Sequence, residues 1–319
     1  WKDIWIKNIL DNLDENLDFE ALSYNPNLTW EMVKAYPKLD WSFKYLSLNP
    51  NITWDIVKNN LNKNWSFRHL SKNPNITWDI IKNNPNFKWD YEYLLENPNM
   101  TFEITLQNPQ IKWDYYWFSE NPNLTWEMVK NNPHLSWDYE YLSCNPIITW
   151  DIIRNNPHLD WGYGYLSSNP NITLDIMKAN KDRPWDYQIF LSRNKNISWD
   201  IMDLCFKRNI DCFYLSANEN ITWKIISSNL DKEWDFSGVS RNPNIGWNIV
   251  NKNPNIKWDF YYLCQNTMEI AKNKFIRNKY RDHFKSCGVK EELDKLLFHP
   301  NNLSLSRKLG VDVPSFKYK

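Results

Sequence analysis

Apolar positions along this chain recur at short helical spacing and are cut at regular intervals by Asn and Pro. In residues 73–96, Ile76, Ile80 and Ile81 form one apolar set; Phe87, Tyr91 and Leu94 form a second at i, i+4 and i+7. Such spacing predicts two short amphipathic helices. Thr77 is placed to cap the first, its hydroxyl accepting an orphan N–H of the opening turn. Asp79 then lies where the positive end of the helix dipole favours a carboxylate, and Lys82 lies within its reach. Ile76 and Ile81 bracket the cap as a hydrophobic staple. Pro85 disfavours α conformation in the residue before it and ends the helix. The second helix is expected to start near Lys88-Trp89 and to stop before Asn97-Pro98. Helices of about two turns are unstable alone, so burial has to come from stacking.

The stacking partner is another copy of the same unit. Asn25-Pro26, Asn49-Pro50, Asn73-Pro74, Asn97-Pro98, Asn121-Pro122, Asn145-Pro146 and Asn169-Pro170 fall 24 residues apart, and after a one-residue slip the column continues at Asn194, Asn218 and Asn242. Each of these ten units holds two Trp-Asp-like starts eleven residues apart, such as Trp78 and Trp89. The expectation is an all-α fold: an α-solenoid of ten helical-hairpin repeats of about 24 residues with one continuous core. At a helix spacing of roughly 8–10 Å, ten units would extend about 80–100 Å. Residues 1–24 (Ile4, Trp5, Ile9, Leu10, then the half unit Leu17–Ser23) read as an N-terminal cap. Residues 25–266 read as the array. Residues 267–319 read as a C-terminal helical cap, with a helix from Thr267 to about Ser286, a stop at Gly288 and a short helix from Glu291 to Phe298.

Composition narrows the function. The 38 basic and 38 acidic residues cancel, which argues against a nucleic-acid binder. Twenty Trp against six Gly in 319 residues asks for a repeat explanation. No apolar run is long enough to span a membrane, and no signal peptide is visible, although the chain opens at Trp1 without Met. Five cysteines without framework spacing (Cys144, Cys205, Cys212, Cys264, Cys287) read as thiols in a reducing compartment. The Asn-x-Thr/Ser sequons, from Asn27 to Asn220, read as structural, with Thr serving as cap and Asn as turn former. Thr77 is expected to matter more to stability than Asn75.

The strings Asn-Pro-Asn-Ile-Thr-Trp-Asp-Ile and Trp-Asp-Tyr-x-Tyr-Leu-Ser, over roughly residues 15–266, resemble the Asn- and Trp-rich tandem-repeat proteins of giant DNA viruses of amoebae. The resemblance implies a viral protein acting in host cytoplasm, viral factory or virion. It implies no activity.

Columns that hold constant build the scaffold, so a partner is expected where they vary. Three variable columns four residues apart share one stripe of the second helix. They carry Lys44, Arg68, Glu92, Tyr116 and Glu140, then Lys72, Glu96 and Glu120, with Asp40 to Asp160 on the third. An aromatic column runs beside them: Tyr45, His69, Tyr93, Trp117, Tyr141 and Tyr165. The residues assigned to a protein partner, viral or host, are therefore Lys44, Arg68, Lys72, Glu92, Glu96, Tyr116, Trp117, Glu120, Glu140 and Tyr141. No catalytic constellation, phosphate loop, cofactor fingerprint or metal-ligand spacing is present. Neighbouring repeats hold His134 and His158 too far apart for one metal. A basic segment (Lys272, Lys274, Arg277, Lys279, Arg281, Lys285) closes the pattern. The expected function is a non-enzymatic protein-binding scaffold. A structural virion or fibre component that self-associates and a modular nucleic-acid binder are the alternatives.

Overall fold

The computed structural model describes residues 1–187, 190 and 212–286. All regular secondary structure among them is helical, and the short helices alternate in the expected way. Residues 2–268 form one compact unit, a helical repeat solenoid.

The unit at residues 73–96 shows the local logic. Its first helix is Trp78–Asn83; the Thr77 hydroxyl accepts the Ile80 N–H at 3.4 Å, and Asp79 pairs with Lys82 at 2.9 Å. Ile76 and Ile81, the two ends of the staple, are buried. Its second helix is Tyr91–Leu95 and starts two residues later than the Trp-Asp pattern suggests. The reason is the cap. In the first half Thr precedes Trp and supplies the acceptor. In the second half Lys88 does not, so Asp90 becomes the cap and accepts the N–H groups of Glu92 and Tyr93, both at 3.1 Å. Trp89 therefore lies outside the helix, buried, with its indole N–H donated to the Asn84 carbonyl at 2.9 Å. The offset also turns Tyr91 outward: it is 41% exposed, while Leu94 is fully buried.

Asn is more than a turn former. The Asn73 amide is buried and donates to the carbonyls of Ser47 (2.8 Å) and Asn49 (3.0 Å) in the preceding unit, while its oxygen accepts the Asn75 N–H. Asn75 donates back to Pro50 (2.7 Å) and Ile52 (3.0 Å). Between them the two side chains bond the carbonyls at the helix end and turn of the preceding unit, of which that of Ser47 has no backbone donor among the described residues. Ser71 adds another link, its buried hydroxyl accepting the Asp90 N–H 19 residues on. Aromatic contact completes the junction: Trp54 meets Trp89 of the next unit at 5.7 Å between centroids. The same bonds recur along the stack at Asn97, Asn121, Asn169 and Asn242.

The ladder does not stop at its ends. Asn25 donates to Cys264 O (3.0 Å) and Asn266 O (3.1 Å), as Asn49 does to Ser23 O and Asn25 O. Asn27 donates to Thr267 O (2.8 Å), as Asn51 does to Pro26 O. The helices Phe19–Tyr24 and Phe260–Gln265 pack side by side. The array is thus joined tail to head, and the compact unit closes on itself. This corrects the extended array of about 80–100 Å with two capped ends.

Residues 2–24 are not a cap with half a unit but a whole, divergent one. Shifted by 24, Ile4, Ile9, Leu17, Phe19, Leu22 and Ser23 fall on Leu28, Val33, Trp41, Phe43, Leu46 and Ser47. Helix Lys2–Leu10 takes the place of a first helix, and its Asn8 oxygen accepts the Asn251 amide at 2.8 Å. This unit lacks its own Asn-Pro-Asn; Asn266, Thr267 and Met268 provide it, with the Met268 N–H on the Asn266 oxygen at 2.8 Å. The closing unit is shared by both ends of the array.

The second unit holds, among the described residues, Trp1 and residues 269–286. Its helix Glu269–Ser286 matches the expected C-terminal helix. The expected Gly288 stop and the Glu291–Phe298 helix lie outside the described residues, as does part of the one-residue slip before Asn194.

Candidate partner-binding surface

Which layer of the stack faces inward follows from the spacing of its helices. In a closed stack the inner layer is the more crowded one. Among the described residues the close helix pairs all join second helices of successive units, such as Phe67–Lys72 with Tyr91–Leu95 and Phe19–Tyr24 with Phe43–Leu46. Ion pairs agree. Those on first helices stay within one helix (Lys34–Glu31, Lys58–Asp55, Lys82–Asp79), whereas Arg68–Asp90 and Lys72–Glu96 cross between units on the second-helix side. Second helices line the inner wall. The stripe read from the sequence lies on their exposed flank.

On that wall, aromatic rings, half-buried except for the exposed Tyr165, touch from unit to unit. Tyr24 meets Tyr45 at 6.1 Å, Tyr45 meets His69 at 5.9 Å, His69 meets Tyr93 at 6.0 Å and Tyr93 meets Trp117 at 6.3 Å. The row then crosses through Tyr116, which touches Trp117 (5.2 Å) and Tyr141 (4.9 Å), and ends with Tyr141 against Tyr165 at 5.2 Å. The Tyr165 hydroxyl bonds to Tyr141 and that of Tyr141 to Tyr116. Ionising either phenol would break the bond that it donates, so both pKa values rise above 10.0.

The charged positions divide into two groups. Arg68 stacks 4.4 Å from the Tyr93 ring centroid and pairs with Asp90 at 3.3 Å. Lys72 and Glu96 are bonded to each other, and the Glu96 side chain is only 11% exposed. These pairs join the basic arc to the acidic one and spend charge that the sequence left unassigned. Lys44, lying 4.9 Å from the Tyr45 ring centroid, and Glu92, Glu120 and Glu140 are exposed along the wall. Of the residues assigned to a partner, the structure brings Tyr116, Trp117 and Tyr141 into one aromatic cluster and ties Glu96 into the scaffold. Tyr24 and Asp90 were missed: Tyr24 reaches Tyr45 from a different column, and Asp90 reads first as a helix cap.

His69 lies in the basic arc. Burial, then the charges of Lys44, Arg68 and Lys72, hold its pKa below 6.5. Its Nδ1 is 2.7 Å from the Ser66 hydroxyl.

His134 and His158 are both exposed. Among the described residues no three His, Cys, Asp or Glu side chains converge as a metal set, and no helix is long and apolar enough to cross a membrane. Comparison with protein-family models, with curated proteins and with solved structures finds no match in any of the three.

Proposed function

We propose that this chain is a non-enzymatic scaffold whose inner wall binds a polypeptide partner. The observation that carries this reading is the unbroken contact row from Tyr24 to Tyr165 across successive second helices. Aromatic side chains held in place by neighbours lose little entropy on binding, and Tyr, Trp and Arg dominate the binding energy of protein interfaces. Arg68, stacked on Tyr93, belongs to the same surface. Exposed carboxylates at Glu92, Glu120 and Glu140 repel a phosphate backbone, which favours protein over nucleic acid. Fibre assembly through free array ends lacks those ends, because Asn25 and Asn266 already bond to each other. On the resemblance to viral repeat proteins, the partner is sought in an infected amoebal cell.

The test is affinity capture from infected-cell lysate with three baits: the natural chain, the triple variant Tyr116→Ala, Trp117→Ala, Tyr141→Ala, and a first-helix variant Asp55→Ala, Asp79→Ala, Asp151→Ala. Circular dichroism checks each fold. Polypeptides held by the natural chain and by the first-helix variant should be lost from the triple variant. Capture of the same set by all three would overturn the reading.

A further inference from the structure

A stack closed by a covalent chain has one junction unlike the others. At every interior junction the two units are also joined through the backbone, so parting them leaves the loop closed. Only the junction that holds residues 2–27 against residues 240–268 is purely non-covalent, and only its parting opens the loop. Access of a long polypeptide to the inner wall from the side depends on that junction alone.

Its chemistry departs from the repeat in several places. Ser23, Ser47, Ser71, Ser119, Ser143, Ser167, Ser216 and Ser240 each accept the N–H of the residue 19 positions on. Leu95 breaks this column at one interior junction; at the closing junction the role falls to Cys264, whose sulfur accepts the Asp18 N–H, and sulfur is the weaker acceptor. Thr267 stands where most units carry the proline that pre-sets the turn, as Glu219 does at one interior junction, and Met268 alone among the described non-glycine residues has a positive φ, 51°, a region L-residues avoid. Trp247 lies on the helix whose end bonds to Asn8, and among the described residues its indole N–H is buried without a hydrogen-bond partner. An unmade buried bond and a strained backbone both lower the cost of parting here.

We propose that this junction is a gate, opening by release of residues 2–27 from residues 240–268 while the rest of the stack stays folded, and that a polypeptide reaches the inner wall through it. The second clause rests on the binding reading above; the first stands alone. Cys264 reports it. In the closed state the thiol is 1% exposed, and burial pushes its pKa up to about 12, so it is inert until the junction parts. Cys144 and Cys212 are half-buried and serve as internal comparisons.

The chain of residues 1–319, without partner, is treated with iodoacetamide in native buffer, and alkylation is located by peptide mass spectrometry. Hydrogen exchange is followed in parallel. A gate predicts that Cys264 is alkylated at a rate nearly independent of low urea, since little surface is exposed on opening. It also predicts that amides of residues 17–27 exchange at least tenfold faster than their equivalents in residues 41–51 and 65–75. Cys264 alkylation only at the rate of global unfolding, with exchange equal at all three segments, would overturn the gate and leave the binding reading untouched. Failure of the lysate experiment with these two results intact would overturn the binding reading alone.

Discussion

The side-chain nitrogen of Asn25 lies 3.1 Å from the carbonyl oxygen of Asn266, 241 residues away in sequence. The Asn49 amide makes the same bond to Asn25 at 2.9 Å. Tail and head therefore meet through the same contact that joins one unit to the next.

That contact gives the Asn column a stability role that the Thr cap does not have. Asn73→Ala would leave the buried Ser47 carbonyl and the part-buried Asn75 N–H without their partner and would take from the Asn49 carbonyl one of its donors, the Ile52 N–H remaining. Each orphaned buried group costs about 1–3 kcal/mol. Thr77→Ala removes one long, exposed cap bond, and about 1 kcal/mol or less is expected. Chemical denaturation should rank Asn73→Ala well above Thr77→Ala. The reverse order would mean that the ladder is incidental.

Two glycines should respond with opposite sign. A Cβ on Gly238 would overlap the Phe213 carbonyl of the preceding unit, whereas one on Gly164 meets nothing within 4 Å. Gly238→Ala should destabilise by about 1–3 kcal/mol through overpacking. Gly164→Ala, in a helix, should stabilise by up to roughly 1 kcal/mol. Thermal melts of the two variants check this.

Acid should weaken the fold through His69. Its folded pKa lies below 6.5, so the unfolded chain takes up a proton first as pH falls. This contribution to stability is complete above about 6.5 and is lost as pH drops from there toward the folded value. Urea midpoints at pH 7.5 and pH 5 should differ less for His69→Gln than for the natural chain. An equal difference would mean that His69 titrates alike in both states.

Period, caps and core were legible because they are local. Thr77 with Ile80, Ile76 with Ile81, and Trp78 with Asp79 all lie within five residues of each other, where spacing decides geometry. The start of the second helix was misplaced because Trp-Asp occurs twice and only the neighbouring Thr or its absence says which residue caps. The aromatic column was visible, but not the pairings of Arg68 with Asp90 and Lys72 with Glu96, which depend on how close successive second helices come. Closure was hidden for a different reason. The shared unit draws Asn266 from one end of the array and Ile4 to Ser23 from the other, so neither piece shows the full motif. Sliding residues 2–24 against the 24-residue register would have exposed it, through Ser23 and Phe19.

The closed stack is the central claim, and one distance tests it. Glu20 and Tyr261 occupy equivalent exposed positions on the helices Phe19–Tyr24 and Phe260–Gln265. Lys44 and Arg68 occupy the same positions on interior neighbours. With native cysteines replaced by serine, spin labels are placed at each pair and the dipolar coupling is measured. Closure predicts the same short separation for both pairs, on the order of 10 Å between neighbouring helices. A Glu20–Tyr261 separation of roughly 80 Å, the length of an open array, beside a short Lys44–Arg68 distance, would contradict it.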